Sequence, residues 1–161
     1  MSCVQCGGAM KTARENFRYE ASGLPRVTLI GVEVSRCPEC GEYEVNIPHI
    51  EELHRGIARA LSAKPARLVG VEIRFLRKWL GWSGVDFAAH MGVKAETVSR
   101  WETEAGAMAG TAERLLRVLI LTREPVQDYS LDVLKGIARA ESAPLRLGMR
   151  ADEQGWHAEA A

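Results

Sequence analysis

The four cysteines constrain this chain more than any other feature of its sequence. They fall in two Cys-x-x-Cys pairs, Cys3 with Cys6 and Cys37 with Cys40, and the 161-residue chain has no others. Each short loop can present two thiolates to one point, and four tetrahedral thiolates are a common ligand set for structural zinc. Glycine follows each pair and lets the chain turn so that backbone N–H groups point at the sulfurs. The spacing predicts one structural Zn²⁺ bound by all four cysteines.

Three other uses of these cysteines fit the sequence less well. Disulfides are typical of secreted proteins, but residues 1–8 lack the basic region and apolar core of a secretory signal. A redox Cys-x-x-Cys pair normally stands alone beside a βαβ unit, and catalytic zinc keeps an open position that a fourth thiolate would fill. No apolar run approaches the roughly 20 residues that cross a bilayer. We therefore expect a cytoplasmic protein without membrane contact.

The residues between and after the pairs predict a small zinc ribbon-like domain. Val27–Val34 is rich in β-branched residues and reads as a strand running into the second pair, and Tyr43–Val45 reads as a strand leaving it. A β-hairpin takes up the long interval between the pairs. Apolar residues in Ile47–Leu61 recur at helical spacing. We expect residues 1–63 to form a zinc-binding domain that ends at a short hinge over 62–66.

The following residues have the pattern of four helices. Apolar side chains recur at helical spacing over residues 69–80, and Ser83 is a suitable N-cap for a short second helix. Gly92 provides the turn before a third helix over about 95–104, and Thr111 is expected to cap a fourth. A short helix, a glycine turn and a polar-faced helix in this order are typical of a helix-turn-helix, whose second helix enters the DNA major groove. A four-helix bundle that is not a helix-turn-helix is the alternative.

These patterns predict an α+β protein with two domains. An all-α helix-turn-helix domain over residues 64–140 is expected to follow the zinc domain and to bind DNA; its role in dimerisation is what the family resemblance described below implies. It includes another short helix near residues 131–138. Residues 141–161 read as a flexible tail. If the two domains fold independently, removing zinc should unfold residues 1–50 and leave the segment from about residue 65 folded.

The distribution of charge is compatible with this division. The chain has no net charge, but residues 65–123 carry a net charge of +3, against −1 for residues 1–50 and −3 for residues 124–161. A mildly basic centre permits nucleic-acid binding without requiring it.

Residues 68–121 resemble the helix-turn-helix of phage-repressor-type (XRE-family) regulators. The resemblance lies in Leu80-Gly-Trp-Ser83, Phe87-Ala-Ala-His-Met-Gly-Val93 and Thr97-Val-Ser-Arg-Trp-Glu102. With the four cysteines ahead of that domain, residues 1–123 are similar to the MqsA-type antitoxins, also called YgiT-type zinc-finger proteins. The resemblance implies an N-terminal domain that holds structural zinc and binds a toxin, typically an mRNA-cleaving ribonuclease. It also implies a C-terminal domain that dimerises, binds palindromic operator DNA and represses its own operon.

The resemblance also assigns roles to individual residues. It makes Arg100 a base-reading residue with Glu96 as its partner one turn earlier, and it pairs Glu102 with Arg77 as a scaffold contact. An arginine can fork onto guanine O6 and N7, which discriminates by about 1–3 kcal/mol. These assignments place sequence recognition on the predicted third helix.

Two other polar residues lie at the start of that helix, and two positions depart from the family pattern. Lys94 and Thr97 are placed for phosphate or base edges, although a solvated helix face is the alternative for each. Glu96 stands where the MqsA-type pattern has asparagine, and Gly84 stands where many XRE proteins have glutamine. A carboxylate accepts from cytosine N4–H₂, whereas glycine offers no side chain to phosphate. We therefore expect a different operator and a lower affinity.

The sequence thus predicts an antitoxin that also represses transcription. A solitary zinc-finger regulator without a toxin is one alternative, and an interaction protein that never meets DNA is another. We expect the protein not to be an enzyme, because no nucleophile and base converge in the sequence.

Overall fold

The computed structural model describes residues 1–122, 143, 148–152 and 155–159. The chain forms two compact units, Met1–Tyr129 and Ser130–Ala161. In the described residues, the first unit contains a three-stranded antiparallel sheet followed by five helices, and the second contains a two-stranded sheet. This arrangement agrees with the predicted α+β class.

The sheet of the first unit consists of β1 (Lys11–Arg18), β2 (Thr28–Arg36) and β3 (Tyr43–Asn46), paired in that order. β-Branched residues favour the extended conformation of β2, and β2 and β3 confirm the two predicted strands. β1 is polar and carries no strand pattern of its own. It is a strand because it pairs with β2 along nearly its whole length, which satisfies the backbone groups that face β2.

Five helices follow the sheet in the described part of the first unit. They are α1 (Ile50–Ala63), α2 (Gly70–Trp79), α3 (Gly84–Met91), α4 (Ala95–Glu102) and α5 (Gly110–Leu121). Packing occurs between α1 and both α2 and α5, between α2 and α4, and between α3 and α4.

Local capping fixes both ends of α3. The Ser83 side chain accepts from the Asp86 N–H at 3.1 Å, and the Asp86 carboxylate accepts from the Ser83 N–H at 3.1 Å. This reciprocal pair satisfies donors that a helix N-terminus otherwise leaves free. Gly92 ends the helix with a φ of 67°, a left-handed conformation that glycine adopts without steric cost. The predicted cap and turn are both confirmed.

The predicted cap of the last helix is wrong. α5 begins at Gly110 with Ala109 in the N-cap position, and Thr111 lies inside the first turn. The segment before α5 is fixed instead by a tertiary contact, because the Arg67 guanidinium donates to the Met108 carbonyl. Such a contact between distant residues leaves no local signal in the sequence.

One hydrophobic core joins the sheet region to the helices. Leu24 from the β1–β2 connection and Ala58 from α1 belong to the same buried cluster as Phe75 and Leu76 from α2. The remaining buried members are Leu68, Ile73, Phe87, Ala88, Val98, Trp101, Met108, Leu116 and Ile120. The core therefore draws residues from both of the predicted domains.

The segment predicted as a hinge is tied to α5. Arg117 donates to the backbone carbonyls of Ser62, Lys64 and Ala66, and its guanidinium also donates to Glu113. Several backbone groups held by one charged side chain restrict the segment, which conflicts with a free hinge. The division at residues 63 and 64 stays a prediction, and both sides of it lie in one compact unit.

The C-terminal unit contains regular structure where a flexible tail is predicted. β4 (Gly148–Asp152) and β5 (Gly155–Glu159) form an antiparallel pair with Arg150 opposite His157. A hairpin pairs neighbours in the sequence, so it can form without the apolar periodicity that the prediction required. The short helix predicted near residues 131–138 lies outside the described residues.

Gly70 should be essential to the approach of α2 to α4. A Cβ built there would clash with the backbone carbonyl oxygens of Trp101, at 2.9 Å, and of Glu102. We expect Gly70→Ala to lower the free energy of unfolding by about 1–3 kcal/mol, as overpacking does, measured by urea denaturation.

Gly84→Ala is the matched control. Gly84 is the first residue of α3, and nothing lies within 4 Å of a Cβ built there. Alanine should be neutral or should stabilise by up to about 1 kcal/mol, because it lowers the entropy of the unfolded chain. Equal stability of the two variants would contradict the close crossing of α2 and α4.

Candidate metal centre and the polar helix

The four cysteines converge on one point. Their Sγ atoms all lie within 4.8 Å of one another, with 3.6 Å between those of Cys3 and Cys40 and 3.4 Å between those of Cys6 and Cys37. All four are free thiols. Cysteines 31 and 37 positions apart in the sequence thus meet as the spacing predicts, and this donor set can hold a thiophilic metal ion.

The two cysteine loops share one backbone design. In the first loop the Gly7 N–H donates to the Cys3 carbonyl at 2.9 Å, and in the second the Gly41 N–H donates to the Cys37 carbonyl at 3.0 Å. Both glycines have a positive φ, 75° and 78° respectively. These tight turns are what bring the second cysteine of each pair back toward the first.

The thiols differ in exposure and in acidity. Cys3 and Cys37 are buried, whereas Cys6 and Cys40 are exposed. Backbone N–H donation from Cys40, with a further contribution from Glu39, lowers the pKa of the Cys37 thiol to about 7. For Cys40 the Glu42 N–H acts in the same direction, but desolvation and the neighbouring thiols raise the pKa to about 12. A bound cation would drive the thiols to release their protons.

Glu39 adds negative charge beside the cluster, and the sequence pattern did not reveal this. Its carboxylate lies 3.9 Å from Cys6 Sγ, and it packs so closely on Gly8 that a Cβ there would meet Glu39 Oε2 at 2.6 Å. An anionic group at this position favours a cation over an empty set of thiols. The only sequence signal was its place inside the second cysteine loop.

The polar residues predicted to read DNA lie on or next to α4. Lys94 occupies the N-cap position, Glu96 and Arg100 are exposed, and Thr97 is half-buried. On the opposite side of the helix Val98 and Trp101 are buried. The Arg100 guanidinium donates to the Ala105 carbonyl at 3.4 Å, a long hydrogen bond that a stronger acceptor would replace. The helix thus has one packed face and one polar face.

Glu102 attaches the end of α4 to α2. Its carboxylate accepts from Arg77 Nη2 at 3.1 Å and from Arg74 Nε at 3.1 Å, and Arg77 Nη1 also donates to the Trp82 carbonyl at 2.9 Å. Burial alone would raise the pKa of Glu102, but the hydrogen bonds from Arg77 and Arg74 outweigh it and hold the pKa below its usual value. The structure brings together the implied pair of Arg77 and Glu102 and adds Arg74.

Comparison with known proteins does not assign the chain to a family. No protein-family model matches the chain, and no curated protein matches it. Within the described residues, no helix has the length and apolar character needed to cross a membrane.

The cysteine cluster should bind one metal ion per chain. We expect Co²⁺ titration of the reduced protein to give the thiolate-to-metal absorption of a four-thiolate site at one equivalent. Cys6→Ser should weaken binding by at least about tenfold, since even outer-shell changes at metal sites have effects of that size.

Val4→Ala provides the control within the same loop. Val4 lies between the two ligands of the first pair and is 94% exposed, so its truncation should leave the spectrum and affinity unchanged. Equal binding by Cys6→Ser and the parent protein would exclude a four-cysteine site.

Proposed function

We propose that the protein is a zinc-binding, helix-turn-helix regulator that binds operator DNA as a homodimer and serves as the antitoxin to a partner toxin. The observation that carries the proposal is the polar helix α4, which follows α3 through a glycine turn and is fixed to α2 by the buried carboxylate of Glu102. A four-cysteine cluster that fits structural zinc precedes this arrangement.

DNA binding is supported by the way α4 presents its side chains. Its apolar residues pack inward, while Lys94, Glu96 and Arg100 face solvent. A helix held rigidly on a scaffold with a free polar face is the element that major-groove recognition uses. Arg100 is the side chain suited to guanine, and Glu96 is suited to the amino group of cytosine. Thr97 and Lys94 are proposed to contact phosphate or base edges near the start of the helix.

A homodimer is supported by α5. Three of its apolar residues, Leu115, Val118 and Leu121, are exposed by 39%, 52% and 55%. They recur every three residues and so lie along one side of the helix. A dimer formed by covering such a stripe with its symmetry-related copy would present two α4 helices to a palindrome.

The N-terminal region is proposed to hold zinc and to bind the toxin. The zinc would be structural, because four thiolates complete its coordination. Apolar side chains exposed in this region, Val4 at 94% and Ile30 at 82%, are suited to a protein partner. A toxin that cleaves mRNA would be the cytoplasmic partner. A solitary regulator without a toxin shares every feature except this partner.

Operator recognition should depend on Arg100. We expect Arg100→Ala to lower the preference for the protein's own promoter over unrelated DNA by about tenfold to a hundredfold, the effect of losing a bidentate guanine contact. Gel-shift titrations with promoter DNA and with unrelated DNA measure this preference. They are repeated at several salt concentrations, because salt weakens the phosphate contacts that both DNAs share, whereas base contacts determine the ratio of the two affinities.

Arg59→Ala is the control for charge. Arg59 is exposed on α1, so its loss removes one positive charge without touching α4. It should leave the promoter preference intact, and both variants should retain the parent's circular dichroism and metal content. An unchanged preference in Arg100→Ala would refute the assignment of α4 as the reading helix.

The toxin assignment has a separate test. Co-expression of the full chain with the product of a neighbouring gene should yield a stable complex of the two proteins. It should also relieve any growth arrest that this gene product causes when it is expressed alone. If no neighbour forms a complex while promoter binding persists, the protein is the solitary regulator.

A further inference from the structure

We infer that metal binding at the cysteine cluster stabilises the helical half of the first unit, because the hairpin that carries the cysteines at one end is built into the helical core at its other end. Metal binding at the cluster would then change the folding stability of α2 to α5 from a distance. The effect on folding stands apart from the proposed DNA binding. Its consequence for DNA affinity rests on that proposed function.

The connection between β1 and β2 forms the inserted end of the hairpin. Tyr19 and Leu24 in this connection are each only 5% exposed. Leu24 belongs to the same buried cluster as Ala58 of α1 and Phe75 of α2, and Val27 packs against that cluster. A loop normally lies on the surface with polar side chains, so burial of these apolar residues makes the connection part of the helical core.

Three rings continue the contact from the hairpin to α2. The Tyr19 hydroxyl and His54 Nε2 are hydrogen-bonded at 2.9 Å, and their rings stack with centroids 6.0 Å apart. The His54 ring then meets Phe75 edge-on, also at 6.0 Å. The hairpin, α1 and α2 are thus joined by specific packing as well as by general apolar burial.

The metal cluster lies at the opposite end of the same strands. Cys37 directly follows β2, whose last residue, Arg36, pairs with Lys11. The pair at the inserted end is Arg18 with Thr28. The two ends of β1 are seven residue steps apart, which is roughly 23 Å of extended chain. We therefore expect a metal ion there to affect the helices through the strands.

The strands themselves have little apolar core with which to resist loss of the metal. In β2 the buried apolar residues are Leu29 and Val34, and no residue of β1 is fully buried. A small sheet of this kind is marginal unless it is packed or cross-linked. A ligand that binds only the folded hairpin stabilises whatever folds with the hairpin. Because Tyr19 and Leu24 belong to the hairpin and also pack against the helices, the stabilisation by the metal should extend to α1 and α2.

The sequence contains a reporter that separates the two halves. Within the first unit the tryptophans, Trp79, Trp82 and Trp101, are all in or between α2 and α4, far along the chain from the cysteines. The fourth, Trp156, can be replaced by phenylalanine. Tryptophan fluorescence of the Trp156→Phe protein therefore reports the helices and not the metal site.

The experiment compares thermal melts of this full-length protein with zinc bound and after chelation. Metal content is measured in both samples. We expect chelation to lower the midpoint of the tryptophan transition by roughly 5 °C or more. A midpoint that stays unchanged after the metal has left would overturn the inference and restore two independently folding domains.

Two variants test the route. Leu24→Ala should lower the midpoint of the zinc-loaded protein and reduce the difference between the loaded and chelated samples. Ile30→Thr lies on the same hairpin, at a position that is 82% exposed, and keeps a β-branched side chain, so it should alter neither. If Leu24→Ala does not fold, Tyr19→Phe replaces it, since it removes only the hydroxyl that meets His54. A full zinc-dependent shift in folded Leu24→Ala would exclude this connection as the route, whereas a full shift in Tyr19→Phe would exclude only the contribution of the hydroxyl.

A DNA-binding measurement is the last part of the experiment. At a temperature between the two midpoints, chelation should abolish the promoter shift that the zinc-loaded protein gives, and added zinc should restore it. If the zinc-loaded protein gives no shift, the proposed function fails, while the fluorescence melts still decide the coupling. If it shifts DNA equally well after chelation, the coupling is wrong and the proposed function stands.

Discussion

A sheet as small as β1 to β3 cannot bury enough apolar surface to hold itself together, and this constraint shapes the N-terminal half of the protein. The chain compensates at both ends of the hairpin. At one end the cysteine loops bring four thiols within the reach of one metal ion. At the other end Leu24 and Tyr19 enter the core of the helices. The strands between these anchors can remain largely polar and exposed.

Two buried carboxylates organise the helical half in a comparable way. Glu102 joins α4 to α2 through Arg74 and Arg77, and Glu113 joins α5 to the segment before α2 through Arg67, with Arg117 of α5 as its second partner. Burial of Glu113 opposes its ionisation, but donation from Arg67, Arg117 and the Leu68 N–H lowers its pKa. Each carboxylate accepts hydrogen bonds from two arginines, and these bonds are what makes burying its charge tolerable.

The distribution of chemistry along the chain suits the function that we propose. The metal ligands lie at the open end of the hairpin, before β1 and after β2, whereas the polar residues Glu96 and Arg100 lie on α4 with no thiol near them in the sequence. Metal chemistry and nucleic-acid recognition therefore need not compete for the same surface. The shared core offers a physical route by which one can still influence the other.

The sequence by itself determined the metal cluster, the strands β2 and β3 and the turn at Gly92, because spacing, β-branching and capping are local properties that a short segment carries. It also indicated the polar face of α4, since a helical period separates Val98 and Trp101 from Arg100. Only the tertiary structure decided that Thr111 is not a cap, that Arg74 shares Glu102 and that Glu39 lies beside the thiols. Only the tertiary structure placed Leu24 in the helical core and tied residues 62–66 to Arg117. These features depend on contacts between residues far apart in the chain, and such contacts have no periodicity from which they could be inferred.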